Sequence, residues 1–276
     1  MSAPPRDPWL ALGARTPARI AIGRAGVSLP TREVLAFALA HAQARDAVHS
    51  RLDRAALALR LADLGLETLD VDSQAESRAF YLRRPDLGRR LDPVSRQKLV
   101  AHGGAAPLQP SPAACDLALV IGDGLSATAV AAHAPTLVAA LLPHLVRLGL
   151  TIGVVTLAEG ARVALGDEIG QILGARLVAV LIGERPGLSA ADSLSVYLTF
   201  NPHPGRTDAQ RNCLSNIRPE GLQPALAARK LAWLIEAALA LAATGVALKD
   251  RSDEIRLDSA HPVRSGLTMP RTDDGP

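Results

Sequence analysis

The chain has 276 residues, 48% of them hydrophobic, with 30 Lys and Arg against 27 Asp and Glu and a net charge of +3. That length suits one large α/β domain, or one domain with a smaller appendage. Aromatic residues make up 3%, and the charge is small despite a pI near 9.2, which argues against base-stacking and polyanion-binding surfaces.

The two cysteines, Cys115 and Cys213, have no CxxC and no Cys/His spacing, so zinc is not expected and a reduced intracellular protein is. Met1 to Arg6 has no apolar h-region, so no signal peptide is expected.

Residues 1–18, rich in Pro, Ala and Arg, read as an irregular arm. Residues 19–110 read as a mostly helical N-terminal part. It opens with a short extended piece, Arg19 to Gly26. Thr31 then serves as N-cap of a helix running to about Leu52, with Leu35, Leu39 and Ala42 on one apolar face. A second helix spans about Asp53 to Leu64 and stops at Gly65. Leu66 to Val71 looks extended, and Asp92 to His102 looks helical. Gly103 to Ser111 reads as a linker.

Residues 111–250 read as an α/β domain and residues 251–276 as a mobile tail. Strands are expected at Asp116 to Ile121, Thr151 to Leu157, Arg176 to Ile182 and Ser195 to Phe200. The first three are continuously apolar, as parallel strands covered on both faces should be. A helix from Ser126 to Leu148 is expected to break at Pro135, and Asp167 to Leu173 forms a short one. The apolar run Ala127 to Leu148 contains Pro135, Pro143, His133, His144 and Arg147, so it reads as buried helix rather than membrane span. Asn201 to Glu220 reads as a long polar loop. Pro224 to Thr244 is a long helix ended by Gly245, followed by a short strand at Val246 to Leu248. The fold class is α/β, a parallel Rossmann/flavodoxin-like sheet with flanking helices.

Ligands on such sheets bind beyond the carboxyl ends of the strands. Gly122-x-Gly124-x-x-Ala127 follows a strand and opens a helix, the G-x-G-x-x-A form of a dinucleotide fingerprint. It motivates one alternative, a stand-alone dinucleotide-binding oxidoreductase. Asp123 inside the turn opposes a pyrophosphate, and a turn lining another site, or no site, is the competing interpretation. Ser126 and Ser189 follow Gly-Leu but do not complete G-x-S-x-G, and Ser126 is better as a helix N-cap. Glu184, beside Arg185 between Gly183 and Pro186, reads as a hydrogen-bond acceptor aimed into the crevice, with a solvated turn as the alternative for the pair. Cys213 reads as a half-buried small hydrophobe rather than a nucleophile. Arg83-Arg84 and Arg89-Arg90 read as a phosphate or partner surface, or as a solvated face; they motivate a non-catalytic assembly role as a further alternative. None of the seven histidines forms a metal motif.

Several motifs then agree in order: Tyr81-Leu82-x-Arg84-Pro85-Asp86-x-Gly88-Arg89-Arg90-Leu91, Asp123 to Ser126, Gly160 to Val163, Gly166 to Gly170, Gly183 to Leu188, and Asn212-Cys213-x-Ser215-Asn216-Ile217-Arg218. Over about Arg19 to Asp250 the chain resembles the small (light) subunit family of ethanolamine ammonia-lyase. The resemblance implies a subunit of an adenosylcobalamin-dependent enzyme that turns ethanolamine into acetaldehyde and ammonia by radical rearrangement. It implies a large (heavy) barrel subunit as partner, carrying the substrate and catalytic residues, with cobalamin at the interface of the two. No catalytic residue and no metal ligand then falls on this chain. Cobalamin contacts map to Val163, Glu184 and Cys213. Nucleic acid and membrane are not expected as partners. The expected setting is cytoplasmic; some members are packaged in a bacterial microcompartment, which is the alternative to free cytoplasm.

Overall fold

The structure, a computed structural model, describes residues 9–13, 15–16, 18–103 and 115–254. Most of the arm, nearly all of the linker at 103–111 and most of the tail expected from sequence lie outside the described residues.

Helices α1 (Leu10–Gly13), α2 (Thr31–His49) and α3 (Arg54–Ala62) lead to strand β1 (Thr68–Asp72). Helices α4 (Arg78–Arg83) and α5 (Pro93–Gly103) follow, then β2 (Cys115–Gly122), α6 (Ala127–Arg147), β3 (Val155–Glu159), α7 (Leu165–Ile172) and β4 (Ala175–Gly183). The chain continues through β5 (Leu194–Phe200) and β6 (Arg211–Ile217) to α8 (Pro224–Leu241). The strands form one sheet in the order β1-β3-β2-β4-β5-β6.

The expectation of a parallel, Rossmann/flavodoxin-like sheet is overturned. The pairs β1–β3, β3–β2 and β2–β4 are parallel, but β4–β5 and β5–β6 are antiparallel, so the sheet is mixed. The reason is connection length. Residues 184–193 and 201–210 are the only links to β5 and β6, short of the dozen or so residues, usually a helix, that a parallel crossover requires. The second of these links was expected to be part of a loop reaching Glu220, and β6 inside it was missed. Its buried residues Arg211, Leu214 and Ile217 are spaced by three, and the register slips by a bulge opposite Leu194 and Val196, so no period-two burial pattern marks the strand.

Two apolar layers hold the sheet. On one face Leu117, Leu119, Ile121, Leu177, Leu181 and Leu198 pack against α6 and α8. On the other, Ala118, Val120, Val178 and Val180 meet Leu165 and Ile169 of α7 and Leu99 of α5. Each fully buried Leu, Ile or Val contributes about 1.5–3 kcal/mol, so β2 and β4, covered on both faces, anchor the structure. β1 comes from the N-terminal part and forms the sheet edge beside β3, so both parts of the chain share this sheet.

Local expectations fared unevenly. Gly65, Gly149 and Gly174, all at positive φ, follow α3, α6 and α7 as expected. Asp53 caps α3 by accepting from Ala56 N (2.9 Å), and Ser126 caps α6 by accepting from Ala129 N (3.2 Å). Thr31 is not a cap; Pro30 holds that place without a side-chain bond. The face of α2 carrying Leu35 and Leu39 points outward, 63% and 60% exposed, while Ala40 and Ala47 are the buried residues.

The break expected at Pro135 is absent, and α6 runs through it. A proline leaves the carbonyl of residue i−4 without its helical donor. Here that carbonyl is Ala131 O, and Arg60 of α3 donates to it at 2.7 Å. α8 ends at Ala242 in the left-handed region (φ 56°) rather than at Gly245, and residues 245–247 form a 3₁₀ turn rather than a strand.

Candidate functional site

The carboxyl ends of β2, β3 and β4 converge on a cavity of about 270 Å³, lined among others by Gly124, Val163, Glu184, Ser195, Tyr197 and Ser215. Its floor is an interlock of the three strand-end loops. Gly124 sits at φ +57°, and a Cβ there would meet Gly183 O at 2.4 Å. A Cβ on Gly183 would meet Ser126 O at 2.1 Å, and Leu125 N donates to Gly183 O at 2.9 Å. Asp123 is buried; it accepts from Ala161 N (2.9 Å) and from Arg78 Nη1 (3.0 Å), tying the β2 turn to the loop before Val163.

These contacts decide the dinucleotide alternative. The glycines of Gly122-x-Gly124 are filled by the protein: a Cβ on Gly122 would meet Ala161 Cβ at 2.7 Å. The acid inside the turn is buried there, and the first turn of α6 is capped by Ser126. No backbone cradle is left for a pyrophosphate, so the oxidoreductase reading has no support here.

Val163 lies in the loop before α7, where its carbonyl accepts from Gly166 N (3.1 Å). Glu184 begins the β4–β5 connection. Its Oε1 accepts from Ser195 Oγ and from Asn216 N (3.0 Å), and its Oε2 from Ser193 Oγ. One carboxylate thus joins the end of β4, the start of β5 and the end of β6. Asn216 is held left-handed (φ 56°), a conformation Asn tolerates better than most residues.

Val163 and Glu184 therefore line one cavity. Cys213 does not line it but stands beside it: on β6 it pairs with Tyr197 of β5, whose ring does. Cys213 is exposed as a residue, yet burial of its sulfur pushes the thiol pKa up, with Tyr197 and Ser195 pulling back. Burial, with Cys213 next to it, pushes Tyr197 up to about 12. Both groups stay protonated at neutral pH, and no histidine acts on the thiol, so it is no activated nucleophile.

Sequence reasoning missed Tyr81, Arg162, Ser195 and Tyr197 as members of the site. Tyr81 is sandwiched between Arg78 (4.7 Å) and Arg162 (4.3 Å), and its hydroxyl donates to Ala161 O at 3.0 Å. The polar period-two pattern of Ser195-x-Tyr197 and Cys213-x-Ser215 was the available signal. α7 covers the β2–β4 part of that face; beyond it Ser195 is buried, Tyr197 is half-buried, and Cys213 and Ser215 are exposed.

A larger cavity, about 520 Å³, lies on the other side of Tyr81. Its charges answer one another: Arg54 meets Asp72 (2.9 Å), Arg51 meets Glu159 (2.8 Å), and Arg78 meets Asp123. It demands less of a ligand than the smaller one.

The profile of the ethanolamine ammonia-lyase light chain matches residues 6–249. The chain belongs to that family. It is 55% identical over 267 residues to the ethanolamine ammonia-lyase small subunit of Bradyrhizobium diazoefficiens, covering 96% of this chain and 97% of the relative. It is 56% identical to that of Rhodopseudomonas palustris over 86% of this chain and 88% of the relative. With the small subunit of Azotobacter vinelandii the identity is 51%, over 92% of each chain. Membership of the light-chain family gives the chain a lyase role.

Proposed function

We propose that this chain closes one side of an adenosylcobalamin site in an ethanolamine ammonia-lyase, and that a large subunit supplies the other side with the substrate and the catalytic residues. The observation that carries it is the convergence of Val163 and Glu184 on one cavity, flanked by the β5–β6 stretch holding Ser195, Tyr197, Cys213 and Ser215.

The donor set fits a corrin, whose rim of amide side chains requires both donors and acceptors. The Tyr197 hydroxyl remains a donor, and Glu184 Oε2, accepting only from Ser193, keeps acceptor capacity. Val163 offers apolar contact. Neither Tyr197 nor Cys213 brings a negative charge to the site at neutral pH. When bound, the cofactor supplies the cobalt–carbon chemistry, while the protein orients it and keeps solvent away. The loop interlock at Gly124 and Gly183 makes this wall stiff, so it acts as a preformed template. A cytoplasmic setting belongs to the same proposal, testable by cell fractionation.

Equilibrium dialysis of cobalamin against the chain co-purified with a large subunit tests the reading. Retention of cobalamin and release of ammonia from ethanolamine are expected. Glu184→Gln, which disturbs the junction of β4, β5 and β6, is expected to weaken cobalamin binding about tenfold, or about 1.4 kcal/mol. A complex that retains no cobalamin would sink the proposal.

A further inference from the structure

Next to the cofactor cavity lies a second cleft of about 420 Å³, lined by Arg89, Arg162, Arg206 and Arg211 together with Asp208. Arg162 and Val163 line both cavities, so the two are neighbours across these residues. The acids near the cleft form their ion pairs with Arg211, although Arg206 lies close enough to Asp167 to pull its carboxyl down through space. Asp167, behind the cleft, forms a bidentate pair with Arg211 at 2.6 Å, and Asp208 lies 3.5 Å from Arg211 Nε.

The other guanidinium groups have no such answer among the described residues. Arg89 makes no ion pair. Arg206 donates only to the carbonyl of Asn201, at 3.0 and 2.9 Å. Arg162 stacks on Tyr81 and reaches Tyr81 O at 3.4 Å, and its Nε is buried with no partner. Like charges held this close repel one another, and a buried guanidinium nitrogen without an acceptor costs about 1–3 kcal/mol or more. An anion relieves both. The planar fork of arginine matches phosphate oxygens better than any other side chain does.

We propose that the cleft of Arg89, Arg162 and Arg206 is an anion subsite next to the cofactor cavity, and that it takes the phosphodiester of the ligand whose larger body fills that cavity. The identity of that phosphodiester rests on the cobalamin reading: the nucleotide tail of cobalamin carries one, joined to the corrin by a flexible linker.

The test compares cobalamin with cobinamide, the same corrin lacking the phosphodiester and nucleotide, by equilibrium dialysis on the complex with a large subunit. Arg206→Gln and Arg89→Gln are each expected to weaken cobalamin binding about tenfold while leaving cobinamide affinity unchanged. Added salt should weaken cobalamin binding to the wild type more than to the double variant. Unchanged cobalamin affinity overturns the proposal. So does an equal loss for both corrinoids, which would assign the arginines a structural role through contacts such as Arg206 to Asn201 O. If the wild-type complex binds neither corrinoid, the cobalamin reading falls. The subsite is then judged on the full chain with inorganic pyrophosphate: a rise in Tm abolished by the double variant sustains it, and no rise overturns it.

Discussion

The two halves of the sheet are built by opposite means. The parallel half, β1-β3-β2-β4, is close-packed at β3, β2 and β4, and its strand-end loops touch backbone to backbone with no room for a Cβ at Gly124 or Gly183. The antiparallel half, β5–β6, carries hydroxyls, a thiol and a carboxylate beyond the reach of α7, from buried Ser195 to exposed Ser215, joined by hydrogen bonds. The first half sets a rigid frame, and the second presents chemistry to a ligand. The difference teaches that stability and binding are separable here: a substitution can damage one while sparing the other.

Beside the β4–β5 ladder and the Glu184 junction, a buried ion pair ties the halves together, and breaking it should have the largest effect. Asp167 of α7 and Arg211 of β6 form a bidentate pair with side chains 1% exposed. Burial pushes the Asp167 carboxyl up, against the pull of Arg211, yet the pair's two short bonds require the charge. Asp167→Asn leaves a guanidinium buried without its partner and should cost about 3–5 kcal/mol. Urea unfolding measures it; a loss under about 1 kcal/mol would mean that water reaches Arg211 and that the halves are not tied there.

Gly124→Ala attacks the frame itself. Left-handed strain and overpacking against Gly183 O together should cost about 2–4 kcal/mol, read as a lower Tm. Arg206→Gln, on the open side, should by contrast leave Tm close to wild type. Equal losses in the two variants would erase the distinction between frame and platform.

The smallest expected effect is on pH dependence. Burial pushes the Asp123 carboxyl above its ordinary value of 3.8, partly opposed by Ala161 N and Arg78. A carboxyl raised in the folded state stabilises fully below the unfolded value, and that contribution is lost as pH rises through the folded value. The unfolding free energy of wild type minus that of Asp123→Asn should therefore fall as pH is raised from about 3 to about 7. A difference that climbs with pH would show instead that Arg78 holds Asp123 charged, and that the β2 turn is an ion-pair site rather than part of the close-packed frame.

Much of the frame was legible in the sequence. The runs Leu117 to Ile121 and Leu177 to Ile182 announce doubly covered strands because burial on both faces removes alternation. Glycine stops after α3, α6 and α7 were equally plain, since few other residues accept the left-handed region. Glu184 was legible as a strand-end acceptor facing the crevice, while Val163 was reached through resemblance; nothing in their local spacing says that they share a cavity. Leu35 and Leu39 misled, because helical periodicity reports an apolar face without saying whether this chain covers it.

What the sequence by itself determined, then, is where the chain buries itself, where its helices stop and which family it belongs to. These are properties of short windows or of ordered motifs. Tertiary structure alone decided the direction of β5 and β6, the survival of α6 through Pro135 by means of Arg60, the Asp167–Arg211 pair and the gathering of Arg89, Arg162 and Arg206 into one cleft. Each depends on residues far apart in the chain, and a charge or a carbonyl finds its partner only when folding has set the distance.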